Sequence, residues 1–215
     1  LETGGGMACF DKETGELLSM IPTKMQLHGS ASYNEEHDTV IWGTNDGIVY
    51  ALNAQTFAVT AEVDAGGAVK YAPATQGNVA VFGSFDGKIY VWDFVKNAVL
   101  FTYQTDDIVY STPLIVGDRA FMGSADHQLV VIDLKSLTLV RAMDVGEKIH
   151  SSPTLIDGIV YFGTSKGEMI GIYPNSLEVA VEYQFPERIT NAIVSDGKCF
   201  FVYAVDNKMW AIKHG

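Results

Sequence analysis

The sequence predicts an all-β fold: a β-propeller of four-stranded antiparallel blades, with four full repeats and two partial ones. Three observations lead there. A bulky apolar residue followed by Gly recurs every forty residues, at Trp42-Gly43, Phe82-Gly83, Met122-Gly123 and Phe162-Gly163. A tight-turn triplet follows each copy, at Asn45-Asp46-Gly47, Phe85-Asp86-Gly87, Ala125-Asp126-His127 and Ser165-Lys166-Gly167. Alternating or apolar runs flank every turn, and no stretch shows helical periodicity with caps at its ends. Self-similar units of about 40 to 50 residues with four strands each are propeller blades. An up-and-down barrel or a sandwich is the alternative, but neither requires so strict a register.

Taken in order, residues 1–27 carry the end of a copy. Met7 to Asp11 matches Val49 to Asn53, a third strand, and Gly15 to Pro22 matches an outer strand. Residues 28–67, 70–108, 110–149 and 150–189 are full repeats, and 190–215 holds the first three strands of another. Within a repeat, first strands read at Thr112 to Val116 and Pro153 to Ile156. The Trp-Gly or Phe-Gly run is the second strand. Third strands read at Ile48 to Leu52, Lys88 to Trp92, Gln128 to Ile132, Glu168 to Ile172 and Lys208 to Ile212. Fourth strands read at Val59 to Val63, Ala98 to Tyr103, Leu137 to Met143 and Leu177 to Tyr183. Gly, Asn and Asp suit the turns because they tolerate positive φ. Val202-Tyr203-Ala204 keeps the register but loses the Gly. Residues 1–215 are thus expected to be one propeller domain, either a five-bladed ring with a spare N-terminal strand or a fragment of a larger ring. The fragment reading leaves strand edges exposed and predicts self-association.

Composition narrows the function. Formal net charge is −12, from 14 Lys+Arg against 26 Asp+Glu, which argues against nucleic-acid binding. No apolar run reaches the ~18 residues that span a bilayer, so no membrane span is expected. The two cysteines, Cys9 and Cys199, are too few for a disulfide scaffold or a zinc site and read as buried thiols, with a single bridge between them as the alternative. Trp42, Trp92 and Trp210 fall in strands and read as core between blades.

The run Gly43 to Asn53, Gly-Thr-Asn-Asp-Gly-Ile-Val-Tyr-Ala-Leu-Asn, resembles the quinoprotein-type (PQQ-like) propeller repeat. So do Ser111-Thr112-Pro113-Leu114, Ser151-Ser152-Pro153-Thr154 and the turn Ala8 to Gly15. The resemblance covers nearly the whole chain and implies a fold more than a function, because one fold hosts many jobs. Relatives of this type include quinone-dependent dehydrogenases, scaffold lipoproteins of outer-membrane protein assembly, and sensor or accessory propellers. The dehydrogenase pattern ends in Trp eight residues after the Asp position; Ser19, Ala61, Phe101, Arg141 and Val181 stand there instead. No adjacent cysteine pair and no calcium-chelating acid set is visible. Neither pyrroloquinoline quinone nor calcium is therefore expected, and no other cofactor is read. Family likeness further implies an exported protein, at the periplasm or the cell surface.

Candidate binding residues come from stacking the repeats. The segment leading into each first strand brings equivalent residues to one end of the propeller: His28, Lys70, Tyr110, His150 and Thr190. Two residues earlier lie Lys148 and Arg188, and one residue later Tyr71. His28, Lys70, Tyr71, Tyr110, Lys148, His150 and Arg188 form the predicted binding set, a basic rim suited to a carboxylate, a phosphate or an acidic peptide. The competing reading makes them solvated loop residues, with Lys148 and Arg188 paired to Glu147 and Glu187 beside them. His37 after Glu35-Glu36 reads as a solvated turn, not a metal site. Asp46, Asp86, Asp126 and Asp206 read as turn formers, and Ser111, Ser151 and Ser152 lack the elbow of a nucleophilic serine. No catalytic and no metal-ligating residue is assigned. The expected function is a non-catalytic scaffold that binds a protein or peptide. A degenerate or partial quinoprotein enzyme and a sensor for a small anion remain the alternatives.

Overall fold

The computed structural model describes residues 6–22, 29–205 and 208–213. These residues form antiparallel sheets and no helix. β1 (Gly6–Phe10) and β2 (Leu17–Pro22) make a two-stranded sheet. β3 to β6 (Ser32–Asn34, Thr39–Gly43, Ile48–Asn53, Val59–Asp64) make the first four-stranded sheet. β7 to β10 (Ala74–Gln76, Val79–Gly83, Lys88–Asp93, Ala98–Gln104) make the second. β11 to β14 (Leu114–Val116, Arg119–Gly123, Gln128–Asp133, Thr138–Asp144) and β15 to β18 (Thr154–Ile156, Ile159–Gly163, Glu168–Ile172, Val179–Gln184) make the third and fourth. β19 to β21 (Val194–Ser195, Cys199–Ala204, Lys208–Lys213) make a three-stranded sheet. Strands adjacent in sequence are adjacent in every sheet, so each is a meander, the blade of a β-propeller. The chain falls into two compact units, Leu1–Thr102 and Tyr103–Gly215.

Burial follows strand position. Second and third strands are covered on both faces, as in β8 and β9 or β12 and β13, where nearly every residue is buried. Their continuous apolar runs reflect that two-sided cover. Fourth strands are mostly exposed, as in β10 and β14. In the first unit the core gathers Ile41, Val49, Phe82, Tyr90 and Trp92. In the second unit Phe121, Leu129, Phe162 and Ile172 form one cluster, and Tyr161, Met169, Phe185 and Val202 another. Each fully buried Ile or Phe contributes about 1.5–3 kcal/mol.

One turn design joins third to fourth strands. Asp11 Oδ1 accepts from the N–H groups of Glu13 and Thr14 at 2.9 and 2.7 Å. Asn53 accepts from Gln55 and Thr56, Asp93 from Val95 and Lys96, and Asp133 from Lys135 and Ser136. The turn closes on a left-handed residue: Gly15, then Phe57, Asn97, Leu137 and Leu177, at φ 73, 57, 53, 55 and 61°. The sequence places Leu137 and Leu177 in strands, but this left-handed backbone keeps both in the turn, and β14 and β18 start at Thr138 and Val179.

The recurring Gly of the second strand has a packing cause. The segment leading into a blade is pinned by two backbone bonds. Val69 N–H donates to Thr44 O at 2.9 Å, while Ala68 O accepts from Phe85 N–H at 2.9 Å. In the second unit Ile149 and Ile189 donate to Ser124 O and Thr164 O at 3.2 and 3.1 Å. Val69, Ile149 and Ile189 are fully buried. A Cβ on Gly43, Gly123 or Gly163 would lie 2.3–2.4 Å from the methyl carbons of these side chains. The position therefore has to be Gly wherever a following blade packs its lead-in residue there.

Two expectations change. Trp42 and Trp92 are buried, but Trp210 is only half-buried, because β21 pairs with β20 alone among the described residues. Cys9 and Cys199 are free but half-buried and not enclosed, since both lie in the short-handed sheets, the two-stranded and the three-stranded one.

Candidate functional site

The lead-in segments of the second unit place four predicted residues in one neighbourhood. The Tyr110 and His150 rings meet with centroids 4.8 Å apart, tilted by 60°. They come from successive blades, each held by the buried residue before it, Val109 and Ile149. Lys148 sits two residues before His150, its carbonyl fixed by Ser165 N–H at 2.8 Å. Arg188 occupies the same position one blade later, its carbonyl accepting from Val205 N–H at 3.2 Å. The backbone at these cationic positions is thus set by the fold, while the side chains are left to solvent.

Burial favours the neutral imidazole of His150, and the positive charges of Lys148 and Arg188 push the same way. Its pKa lies below the ordinary 6.5, against a weaker opposing pull from Asp107. Lys148 Nζ contacts Asp107 Oδ2 at 3.4 Å, with both side chains nearly half exposed. The Asp107 carboxyl is held below its usual range, first by the Ile108 N–H and then by Lys148. An exposed pair of this kind adds little stability, about 0–1 kcal/mol, and a competing carboxylate can displace it. Arg188 is exposed and makes no ion pair or side-chain hydrogen bond among the described residues. A guanidinium, an ammonium and a neutral imidazole tilted against a phenol can together receive a carboxylate by charge-assisted hydrogen bonds.

The remaining predicted residues lie elsewhere. Lys70 and Tyr71 belong to the first unit, where Lys70 Nζ sits 4.7 Å above the Phe85 ring centroid. His28 lies outside the described residues, as does Asp206. Lys148 takes Asp107 as its partner, not the adjacent Glu147. Glu147 instead pairs with Lys166 and accepts from the Ser165 hydroxyl at 2.9 Å. Asp107 was not singled out from sequence. The signal for it is an opposite charge at an offset of forty-one residues, one blade plus one, which neighbour-by-neighbour reading does not catch.

The recurring polar residues are occupied structurally. Ser111 Oγ accepts from Gly123 N–H at 2.9 Å and donates to Gly123 O at 3.0 Å, fully buried. Ser151 latches Gly163 in the same way. Asp86 accepts from Lys88 N–H, Lys88 Nζ and the Tyr90 hydroxyl at 2.9, 3.0 and 2.8 Å, and Asp126 accepts from Ser124. His37 meets Phe94 edge-on at 5.5 Å, and its backbone N–H donates to Asn34 Oδ1 at 2.9 Å. Among the described residues no three His, Cys, Asp or Glu side chains gather as a metal set.

Residues 3–140 match the family described as outer membrane protein assembly factor BamB. Comparison with curated protein sequences finds no match. The crystal structure of BamB from Moraxella catarrhalis superposes with a TM-score of 0.84 at 16% identity, covering 97% of this chain and 70% of that one. The computationally designed protein Ika8 superposes with a TM-score of 0.62 at 13% identity, covering 98% and 91%. At these identities the two structures speak for the fold alone.

Proposed function

The chain belongs to the family of outer membrane protein assembly factor BamB, and on that premise we propose that it is a non-catalytic propeller scaffold that binds a protein or peptide partner. In this reading the partner belongs to outer-membrane protein assembly and the chain works in the cell envelope, a reading that the family's description supports. The observation that carries the reading is the second unit's lead-in cluster. A protein with net charge −12 holds Lys148 and Arg188 beside the contacting rings of Tyr110 and His150. Arg188 has no ion pair among the described residues, and the Asp107 contact of Lys148 is exposed and exchangeable. The partner element is an acidic segment whose carboxylate displaces Asp107 and engages Arg188. The polar residues that recur in the blades support this role, because their hydrogen bonds hold turns and latch strands. The role calls for neither quinone nor calcium.

The test is a calorimetric titration of the chain with an Asp/Glu-rich decapeptide. Lys148→Ala/Arg188→Ala should weaken binding roughly 2- to 30-fold, the effect of two part-exposed charge contacts. A photo-crosslinker in place of Tyr110 should give adducts with an envelope protein in cells and lose them in the same double variant. Unchanged affinity and unchanged adducts would remove this cluster from the interface.

A further inference from the structure

Three lead-in segments of the second unit set an uneven group of charges around one histidine. Val109, Ile149 and Ile189 anchor them as fully buried residues, and the N–H groups of Ile149 and Ile189 bond Ser124 O and Thr164 O at 3.2 and 3.1 Å. His150 follows directly on the Ile149 anchor and is itself half-buried. The Tyr110 ring, with its centroid 4.8 Å away, covers part of it. The charges that bear on it are Lys148 on its own segment, Arg188 on the next and Asp107 on the one before. Glu147, also on its own segment, is held by Lys166 and the Ser165 hydroxyl, and Glu187 is exposed beside Arg188.

Around the ring, two cations stand against one carboxylate. That carboxylate is already engaged, since Asp107 accepts from the Ile108 N–H at 2.8 Å and contacts Lys148 Nζ at 3.4 Å. A proton on His150 would set three cations against one anion in a place partly shut off from water. The free chain therefore keeps the imidazole neutral at neutral pH, by burial first and by the two cations second. An imidazole so placed responds to any anion that changes the count of charges beside it.

On the premise that this cluster is the acidic-segment interface, we propose that it takes a segment with two neighbouring carboxylates and that His150 gains a proton from solvent as the segment binds. One ligand carboxylate pairs with Arg188, which sets two anions against two cations. The other displaces Asp107 from Lys148, which sets three anions against two cations. The imidazolium offsets the third anion, and it donates from a ring nitrogen that the neutral ring offers only as an acceptor. A single carboxylate leaves no such excess, so the site favours paired acids. The bound state holds the proton more tightly than the free state. Affinity therefore rises as pH falls through the bound-state pKa and levels off below the free-state one.

Calorimetry of the full chain with the Asp/Glu-rich decapeptide measures the proton directly. It is run at about pH 6 in MES and in ACES, buffers that release a proton with different heats. The two heats should differ by the equivalent of roughly 0.3–1 proton per peptide, and affinity should rise roughly 2- to 10-fold from about pH 7.5 to about pH 6. In NMR the Cε1–H titration of His150 should move to higher pH under saturating peptide, a readout that needs no variant of the binding residues. His150→Gln should remove the difference between buffers. His127→Gly should keep it: His127 is the other imidazole that bears on Asp107, and Gly47, Gly87 and Gly167 stand at its place in the sibling turns. Binding that needs Lys148 and Arg188 but gives equal heats in the two buffers, with the His150 titration unmoved, overturns the proposal and leaves the interface standing. Proton uptake that survives His150→Gln does the same. A decapeptide that fails to bind, or binds Lys148→Ala/Arg188→Ala equally well, overturns the interface and this proposal with it.

Discussion

Gly163→Ala tests the packing rule that underlies the fold. The new Cβ would lie 2.3 Å from Cγ2 of Ile189 and 2.5 Å from its Cβ. Carbon atoms rest about 3.5–4.0 Å apart, so both contacts overlap by about an ångström or more. Ile189 has little room to retreat. It is fully buried, its N–H bonds Thr164 O at 3.1 Å, and it bridges to Ala204. The overlap at Cβ cannot be relieved by changing rotamer. The cost belongs at the upper end of core overpacking, about 3 kcal/mol. For a chain of this size that lowers Tm by roughly 6–12 °C. Ile189→Gly removes both clashing atoms and by itself costs about 3–6 kcal/mol, from the lost side chain and the freed backbone. In the double variant Gly163→Ala has nothing left to strike, so the pair should cost about what Ile189→Gly costs alone. The coupling energy is therefore about 3 kcal/mol, well above the ~0.5 kcal/mol scatter of independent sites. Urea unfolding followed by circular dichroism measures all four proteins. A Gly163→Ala protein within ~2 °C of the parent, or additive single effects, would refute the account of the recurring Gly.

Three further outcomes follow from particular contacts. Ser151→Ala should destabilise the chain by about 1–3 kcal/mol in urea unfolding, because the buried Gly163 N–H loses its acceptor; Ser111→Ala should do the same through Gly123. His150 has a folded pKa below its ordinary 6.5, so the unfolded chain takes up the proton first. Its contribution to stability is then intact above that value and falls as pH drops below it; His150→Gln should flatten that part of the profile, and Arg188→Ala should move the imidazole's NMR titration upward. Adding pyrroloquinoline quinone with Ca²⁺ should leave Tm unchanged, since Ser19, Ala61, Phe101, Arg141 and Val181 stand at the dehydrogenases' docking Trp positions; a saturable rise would return the chain to the quinone-binding group.

The fold was legible because its cause is periodic. A lead-in Val or Ile seats on Gly43, Gly123 and Gly163, Ser111 and Ser151 latch two of the blades' glycines, and an Asp or Asn opens the outer turn at residues 11, 53, 93 and 133. The same regularity hid two details. Leu137 and Leu177 look like strand residues because they are apolar and adjoin apolar runs, yet the turn requires a left-handed residue there and the chain accepts a leucine in it. Gly15 shows the residue usually found at such a place. The site was legible less fully. Tyr110, His150, Lys148 and Arg188 could be collected by stacking the repeats, but their charge partners could not. Lys148 reaches back a full blade to Asp107, and Lys166 reaches back to Glu147. Such pairings depend on how neighbouring blades are staggered, which residue spacing within one blade does not encode.

The positions that escape the repeat are where function has room. Val69, Ile149 and Ile189 do one job, and each is apolar and buried. The residues one step later, Lys70, Tyr110, His150 and Thr190, share a backbone environment and share nothing else. Packing does not choose among them, because all four are at least partly open to solvent. The positions two residues earlier vary as freely, from Ala68 and Ile108 to Lys148 and Arg188. If that variation were mere drift, charge at these positions would be free to take either sign. In a protein with 26 acids against 14 bases, Lys70, Lys148 and Arg188 stand there and no acid does. Reversing Lys148 and Arg188 to Glu should therefore leave stability within about 1 kcal/mol while weakening binding of the acidic decapeptide more than the alanine pair does. A larger loss of stability would mean that these cations serve the fold itself.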